Sequence, residues 1–251
     1  MKKLKAIILA AGVGQRLGDT AESRPKCLLE FAGSSLLVRH LRILQHYGIS
    51  DVILVAGYEA GQIAAELAAV EAALQIKTVH NEDYEKGSVI SLSLGLQAVS
   101  AGDDVLLMDA DVLYDYRLIA PLIRANGNCF LLDRKFESGD EPVKLCVKGE
   151  QLIDFRKQIN KDLEFDFQGE SVGFFRFTTE TAARLANRAR EYIERGDDSQ
   201  PYEESIRDLL LDRPDDFSYE DITGLPWIEI DFPEDVRRAE TEILPRLSDP
   251  E

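Results

Sequence analysis

An apolar run passes directly into a glycine turn in Lys5-Ala-Ile-Ile-Leu-Ala-Ala-Gly-Val-Gly-Gln-Arg16, and Pro25-Lys26 follows shortly after. Glycine carries no Cβ and tolerates positive φ, so backbone amides around Gly12 and Gly14 can approach phosphate oxygens closely. Arg16 and Lys26 add positive charge where a pyrophosphate group would separate. Together these residues suit a nucleoside triphosphate. Two other phosphate loops are excluded. No Gly-Lys-Ser/Thr run with four residues between glycines is present. A dinucleotide fingerprint needs a third glycine at position 17, which is Leu17, and Gly18 comes one place late.

Two acidic positions could serve the same chemistry. Asp111 ends Met108-Asp-Ala-Asp111, just past an apolar run, and Asp231 follows Trp227-Ile-Glu-Ile. Triphosphate transfer needs a divalent cation, and carboxylates at strand ends suit Mg²⁺, which prefers oxygen ligands. The alternative for Asp111 is a turn aspartate. For Asp231 it is a helix cap, but Pro233 at the first helical position would put that cap on Phe232, which offers no oxygen. Asp109 fits a structural hydrogen bond as well as direct ligand contact.

The loop Ala10-Ala-Gly-Val-Gly-Gln-Arg16 with Pro25-Lys26-Cys-Leu28 resembles the signature of the nucleotidyltransferases that make NDP-sugars and CDP-alcohols. Asn81-Glu-Asp-Tyr84 with Gly87-Ser88, Met108-Asp-Ala-Asp111, Gly169-Glu-Ser-Val-Gly173 and Trp227-Ile-Glu-Ile-Asp231 extend the likeness. The set is most similar to the phosphocholine, 2-aminoethylphosphonate and inositol-phosphate cytidylyltransferase branch. The resemblance implies a Mg²⁺-dependent cytidylyltransferase that joins CTP to a small phosphorylated or phosphonate acceptor and releases pyrophosphate. It gives Arg16, Lys26 and Lys157 the catalytic roles, with Lys157 as the basic residue that meets the acceptor's phosphate; Arg156 is its alternative. Asp111 and Asp231 become metal ligands. Ala10, Ala11, Gly12, Gly14, Gly57, Asn81, Gly87, Ser88 and Asp109 are expected around the nucleotide, with Ser88 alternatively a helix cap. Tyr84, Glu170, Tyr202, Glu203 and Trp227 are expected around the acceptor, since a cationic head group needs carboxylates or aromatic faces. Phe232 departs from the pattern, because many relatives carry a capping residue there. Two other readings stay open: a sugar-1-phosphate nucleotidyltransferase using UTP, dTTP or GTP, and a non-catalytic nucleotide-binding regulator.

The elements that would position these residues follow from periodicity. Short apolar runs at Ala6–Ala10, 51–57, Gln75–His80 and Val105–Met108 alternate with helical patterns at 35–47, 59–73 and 88–99. This βαβαβαβ order predicts an α/β fold: a Rossmann-like, doubly wound, mainly parallel sheet. Ligands then gather at the carboxyl ends of the strands. Strands at 129–132, 143–147, 152–155 and 172–177 suggest a small β-rich flap over 136–169. Helices are expected at 179–195, 202–211 and 233–247, with a strand at 228–230. The whole chain, 1–251, reads as one domain. A net charge of -17 argues against nucleic acid and anionic membranes as partners. Met1-Lys-Lys-Leu-Lys5 precedes too short an apolar run for a signal peptide, and no run approaches a membrane span. Cys27, Cys129 and Cys146 have no Cys-x-x-Cys spacing and fit buried thiols in a cytoplasmic protein. The histidines lack ligand spacing. A homodimer through the flap or late helices is compatible with the sequence.

Overall fold

In the computed structural model, residues 3–14, 16–17, 24–70, 73–100, 102–137 and 139–248 are described. Gly18 and positions 71–72 of the expected second helix lie outside them.

Strand β1 (Leu4–Ala10) is followed by a short hairpin, β2 (Glu30–Phe31) and β3 (Ser34–Ser35), and by helix α1 (Leu36–His46). Ser35 caps α1 by accepting from Val38 N. Then come β4 (Asp51–Ala56), α2 (Ala60–Ala69), β5 (Gln75–His80), α3 (Ser88–Gln97) and β6 (Asp104–Asp109). β1 pairs in parallel with β4 and β6, and β4 pairs in parallel with β5.

Side chains alternate across a strand, so a strand covered on both faces is apolar throughout. Ala6, Ile8, Val52, Leu54, Leu106 and Met108 enter one core, shared with Leu37 and Leu41 of α1. Ile7, Ile53, Val55, Val105 and Leu107 enter the other, shared with Val89 and Leu92 of α3. This two-sided packing is the doubly wound, mainly parallel α/β arrangement that the sequence predicts.

The second half adds antiparallel strands to the same sheet. β7 (Val112–Tyr114) precedes α4 (Ala120–Arg124), β8 (Asn128–Asp133), β9 (Lys144–Lys148), β10 (Gln151–Arg156) and β11 (Phe167–Phe177). β11 is longer than expected. Its first residues pair with β9 and its last with β6, and β8 runs along its other edge. Gly173, at φ 78°, sits where the partner changes. The β9–β10 hairpin therefore extends the central sheet through β11. α5 (Thr179–Glu194) and α6 (Tyr202–Asp212) cover the second core, and β12 (Phe217–Asp221) pairs in parallel with β8.

β13 (Trp227–Glu229) forms a separate ribbon with β7. The closing segment begins as α7 (Pro233–Arg238), loosens into a π-helical turn over Ala239–Ile243 and tightens to a 3₁₀ turn over Leu244–Arg246. It is not the single regular helix expected for 233–247, and Pro245 explains the change: it has no N–H to give an α-helical bond. Leu17, Phe31, Leu36, Leu113, Ile228 and Ile230 form a third, smaller apolar cluster with this segment. Among the described residues, no helix is long and apolar enough to cross a membrane.

Candidate active site

The loop after β1 is shaped by one glycine and one leucine. Gly14 has φ 67°, and a Cβ there would press on the Lys26 side chain at 2.9 Å. Leu17 N donates to Gly14 O at 3.1 Å, and the Leu17 side chain is fully buried in the third cluster. The position a dinucleotide loop reserves for glycine is here an apolar anchor. Pro25 starts a 3₁₀ turn over Lys26–Leu28, which buries Cys27 and Leu28 and turns Lys26 toward the loop.

Three carboxylates meet Lys26. β7 and β13 pair antiparallel with Val112 opposite Glu229, and Ile230 N donates to Asp111 O at 2.9 Å. Because strand side chains alternate, Ile228 and Ile230 face the third cluster while Glu229 and Asp231 share the opposite face. Carboxylate oxygens of Asp111, Glu229 and Asp231 lie within 4.8 Å of one another. Lys26 Nζ donates to Asp111 at 3.0 Å and to Asp231 at 2.5 Å. Burial alone would lower the Lys26 pKa, but the attraction of Asp111 and Asp231 outweighs it and the net shift is upward. The Glu229 carboxyl is raised well above the usual range, first by the surrounding protein and then by Asp111 and Asp231. A cluster of hard oxygen donors carrying excess negative charge fits a divalent cation.

Two clefts meet at Glu229 and Asp231. One, of about 470 Å³, is lined by Gly12, Gly14, Arg16, Lys26, Tyr84 and Lys157. The other, of about 700 Å³, is lined on its far side by Glu137, Asp140, Glu170 and Trp227, and Glu229 and Asp231 border both. Carboxylates far outnumber cations along the second cleft; Lys135, Arg238 and Arg246 are its basic residues. Burial, with Asp133 nearby, pushes Glu170 up to about 7. Trp227 Nε1 donates to Asp133 at 2.9 Å, which fixes the indole at this wall. Glu141 spans the junction: its Oε2 accepts from Arg16 at 2.7 Å and from Lys157 at 3.4 Å. Arg16 also reaches Asp231 at 3.4 Å.

A model of the MobA-like NTP transferase domain matches residues 6–158, which include the loop, Lys26, Asp111 and Lys157. The chain belongs to that family. A bifunctional IPC transferase and DIPP synthase of Archaeoglobus fulgidus is 30% identical over 247 residues, covering 97% of this chain and 44% of that protein. A CMP-5'-(3-aminopropyl)phosphonate synthase of Streptomyces rubellomurinus is 27% identical over 247 residues, covering 96% of this chain and 39% of that one. The chain spans about half the length of the first curated relatives it matches. The solved CTP:phosphocholine cytidylyltransferase of Streptococcus pneumoniae superposes with a TM-score of 0.76 at 21% identity, over 95% of this chain and 98% of that one. Its likeness establishes the nucleotidyltransferase fold.

Within this nucleotidyltransferase domain, several expected contact residues build the walls instead of facing the cleft. Ala11 O accepts from Tyr58 N at 3.0 Å, and Gly57 leaves room for Tyr84 to lie against the loop. Asn81 is buried, bonding Ser91 and the Asp83 amide, so it shapes the 81–87 turn. The N-terminal amides of α3 were expected to meet ribose or base. Gly87 N donates instead to Asp198 O and Val89 N to Gln200 O, while Ser88 Oγ accepts from Tyr202 N. Ser88 is thus no cap of its own helix; Gly87 holds that position.

Asp109 and Tyr202 bind each other. Tyr202 is 4% exposed and its hydroxyl donates to the half-buried Asp109 carboxylate at 2.6 Å, so each group already has a protein partner. Burial first, then Asp111 and Glu203, raise the Asp109 pKa despite that bond. Glu203 lies with Arg156 and Lys157 at a third, smaller cavity, apart from Glu170 and Trp227. Arg156 is committed to Glu204 by a forked ion pair, so of these two neighbours Lys157 is the one that lines the glycine-loop cleft. Arg24 is outside the cleft, 3.8 Å from Glu30. Cys27 is buried, and burial followed by Asp111 pushes its thiol up to about 12. Glu229 is the residue sequence reasoning did not assign. The alternation Ile228-Glu-Ile-Asp231 was the signal that could have found it.

Proposed function

We propose that this nucleotidyltransferase domain is a Mg²⁺-dependent cytidylyltransferase that couples CTP to a small, cation-bearing phosphate or phosphonate and releases pyrophosphate. One observation carries the reading: a glycine-loop cleft with Arg16, Lys26, Lys157 and Asp111 meets an acidic cleft at Glu229 and Asp231, which with Asp111 form one carboxylate cluster. The activities named for the relatives support cytidylyl transfer to phosphorylated or phosphonate acceptors.

In this reading an acceptor oxygen attacks the α-phosphorus of CTP. The bond from that phosphorus to the bridging oxygen breaks, and pyrophosphate leaves with the electron pair. The acceptor is already an anion, so no protein base has to take a proton. Mg²⁺ held by Asp111, Asp231 and Glu229 would neutralise charge on phosphate oxygens. Arg16 and Lys26 fix the triphosphate, and Lys157 orients the acceptor's phosphoryl group beside it. The acidic wall with Glu170 and Trp227 receives the acceptor's ammonium. Positioning and charge stabilisation then supply the rate.

The test is pyrophosphate release with Mg²⁺, crossing the four NTPs with phosphocholine, 2-aminoethylphosphonate, inositol phosphate and glucose-1-phosphate. Turnover confined to CTP and an amino-alcohol phosphate or phosphonate is expected. Turnover with UTP, dTTP or GTP and glucose-1-phosphate would refute it. Glu229→Ala, Asp111→Ala and Asp231→Ala should each remove most Mg²⁺-dependent turnover while the protein stays folded.

A further inference from the structure

Phe232 is an aromatic residue at a helix start, where an oxygen would stabilise the first turn. It is the N-cap of α7, and its side chain offers nothing to the orphan amides. It is also 39% exposed, one of two large apolar side chains left that open among the described residues. Both features count against the residue on stability grounds alone. The ring has a specific neighbour: the Arg16 guanidinium carbon lies over it, 5.5 Å from its centre.

The entry of α7 is secured by other means. The Asp235 carboxylate accepts from Asp231 N at 3.0 Å and from Phe232 N at 2.7 Å. Position 232 is therefore free to carry a side chain selected for another purpose, and the backbone that presents Asp231 does not depend on the ring.

We infer that Phe232 is a positioning residue for Arg16: its ring is a plate that holds the guanidinium over the phosphate cleft, next to the metal-binding carboxylates. The inference rests on the functional reading above, which makes Arg16 a triphosphate contact. Arg16 has a side chain 48% exposed, and among the described residues its ion-pair partners are Glu141 and Asp231. Both partners are carboxylates, and incoming phosphates must compete with them for the guanidinium. The ring attracts a cation through its face without using any of the guanidinium's N–H donors. It can thus hold Arg16 both before and after the triphosphate arrives. Threonine or serine at 232 would give the helix a cap and leave Arg16 without this support.

The experiment uses the full chain and calorimetric titration with CTP in Mg²⁺. It compares Phe232→Tyr, Phe232→Leu and Phe232→Thr, alone and with Arg16→Ala, with melting temperatures measured in parallel. Phe232→Leu should weaken CTP binding roughly two- to five-fold, the scale of one exposed cation–π contact. Phe232→Tyr should bind like the unchanged chain. Phe232→Thr should lose affinity without a fall in melting temperature, because it gains a cap. In the Arg16→Ala background Phe232→Leu should have no further effect. Equal behaviour of the Tyr and Leu variants, or an undiminished Leu effect in Arg16→Ala, would overturn the inference alone. No CTP binding by the unchanged chain would overturn the functional reading, and this inference with it.

Discussion

Lys26 occupies the centre of an acidic cluster, and removing it should expose a cation site that the lysine now partly fills. Its ammonium bonds Asp111 at 3.0 Å and Asp231 at 2.5 Å, and the three side chains are between 15% and 22% exposed. Such pairs fall between surface bridges, worth up to about 1 kcal/mol, and buried ones, whose breakage costs about 3–5 kcal/mol. Lys26→Gln should therefore lower stability by about 2 kcal/mol in chelator, because two aspartates lose their counter-charge next to Glu229. A divalent cation at a hundred-fold excess over its dissociation constant restores about 2.7 kcal/mol. Urea unfolding of both proteins, in chelator and in Mg²⁺, measures these terms. Mg²⁺ should stabilise Lys26→Gln by clearly more than it stabilises the unchanged protein. Turnover should fall by roughly a hundred- to a thousand-fold, the usual loss of one preorganised electrostatic contact. Equal Mg²⁺ stabilisation of the two proteins would refute the idea that Lys26 and the metal share the same carboxylates.

Other substitutions test the surrounding structure. Glu141→Gln frees Arg16 and Lys157 from a half-exposed ion pair, so calorimetry should show CTP binding tightened roughly two- to ten-fold, with the gain shrinking as salt rises. Gly173→Ala forces a Cβ into the space of the Asp109 carboxylate at a positive φ; unfolding should show a loss of roughly 2–4 kcal/mol from backbone strain and the Tyr202–Asp109 bond. Buried His40 has its pKa lowered to about 4 from 6.5, chiefly by burial. It stays neutral when folded and binds a proton first when unfolded. Its contribution is therefore complete above pH 6.5 and is lost as pH falls toward 4, a change of about 3 kcal/mol. Urea midpoints at pH 8 and pH 4.5 should converge for His40→Asn more than for the unchanged chain.

The first half of the fold was legible because β1, β4 and β6 are buried on both faces and α1 carries its own apolar stripe. Asp51–Ala56 and Leu36–His46 are set by local pattern. β11 was less legible. The local pattern predicts a strand only over 172–177, yet the strand runs over eleven residues and includes Gly169-Glu-Ser-Val-Gly173, since β9, β6 and β8 all supply partners that only the tertiary fold brings there. At the site, Arg16, Lys26, Asp111 and Asp231 converge from distant parts of the chain, and their residue types already suggested a shared task. The amides of α3 and the Tyr202 hydroxyl were different. Their partners at 198–200 and at Asp109 lie far along the sequence, and nothing near Ser88 or Tyr202 indicates that those groups are already satisfied.

The small cluster around Leu17 has a thermal consequence of its own. It is separate from the two large cores, and it contains the end of the glycine loop, β7, β13 and the closing helical segment. Local openings follow such cooperative units. Amide hydrogens of the loop and of the 227–247 segment should therefore exchange with solvent at matching rates, faster than those of β1 and β4. A fluctuation that lifts Leu17 from its seat also loosens the strands carrying Asp111 and Asp231. Phosphate loop and carboxylates would then be assembled and dismantled together, with few molecules holding one without the other.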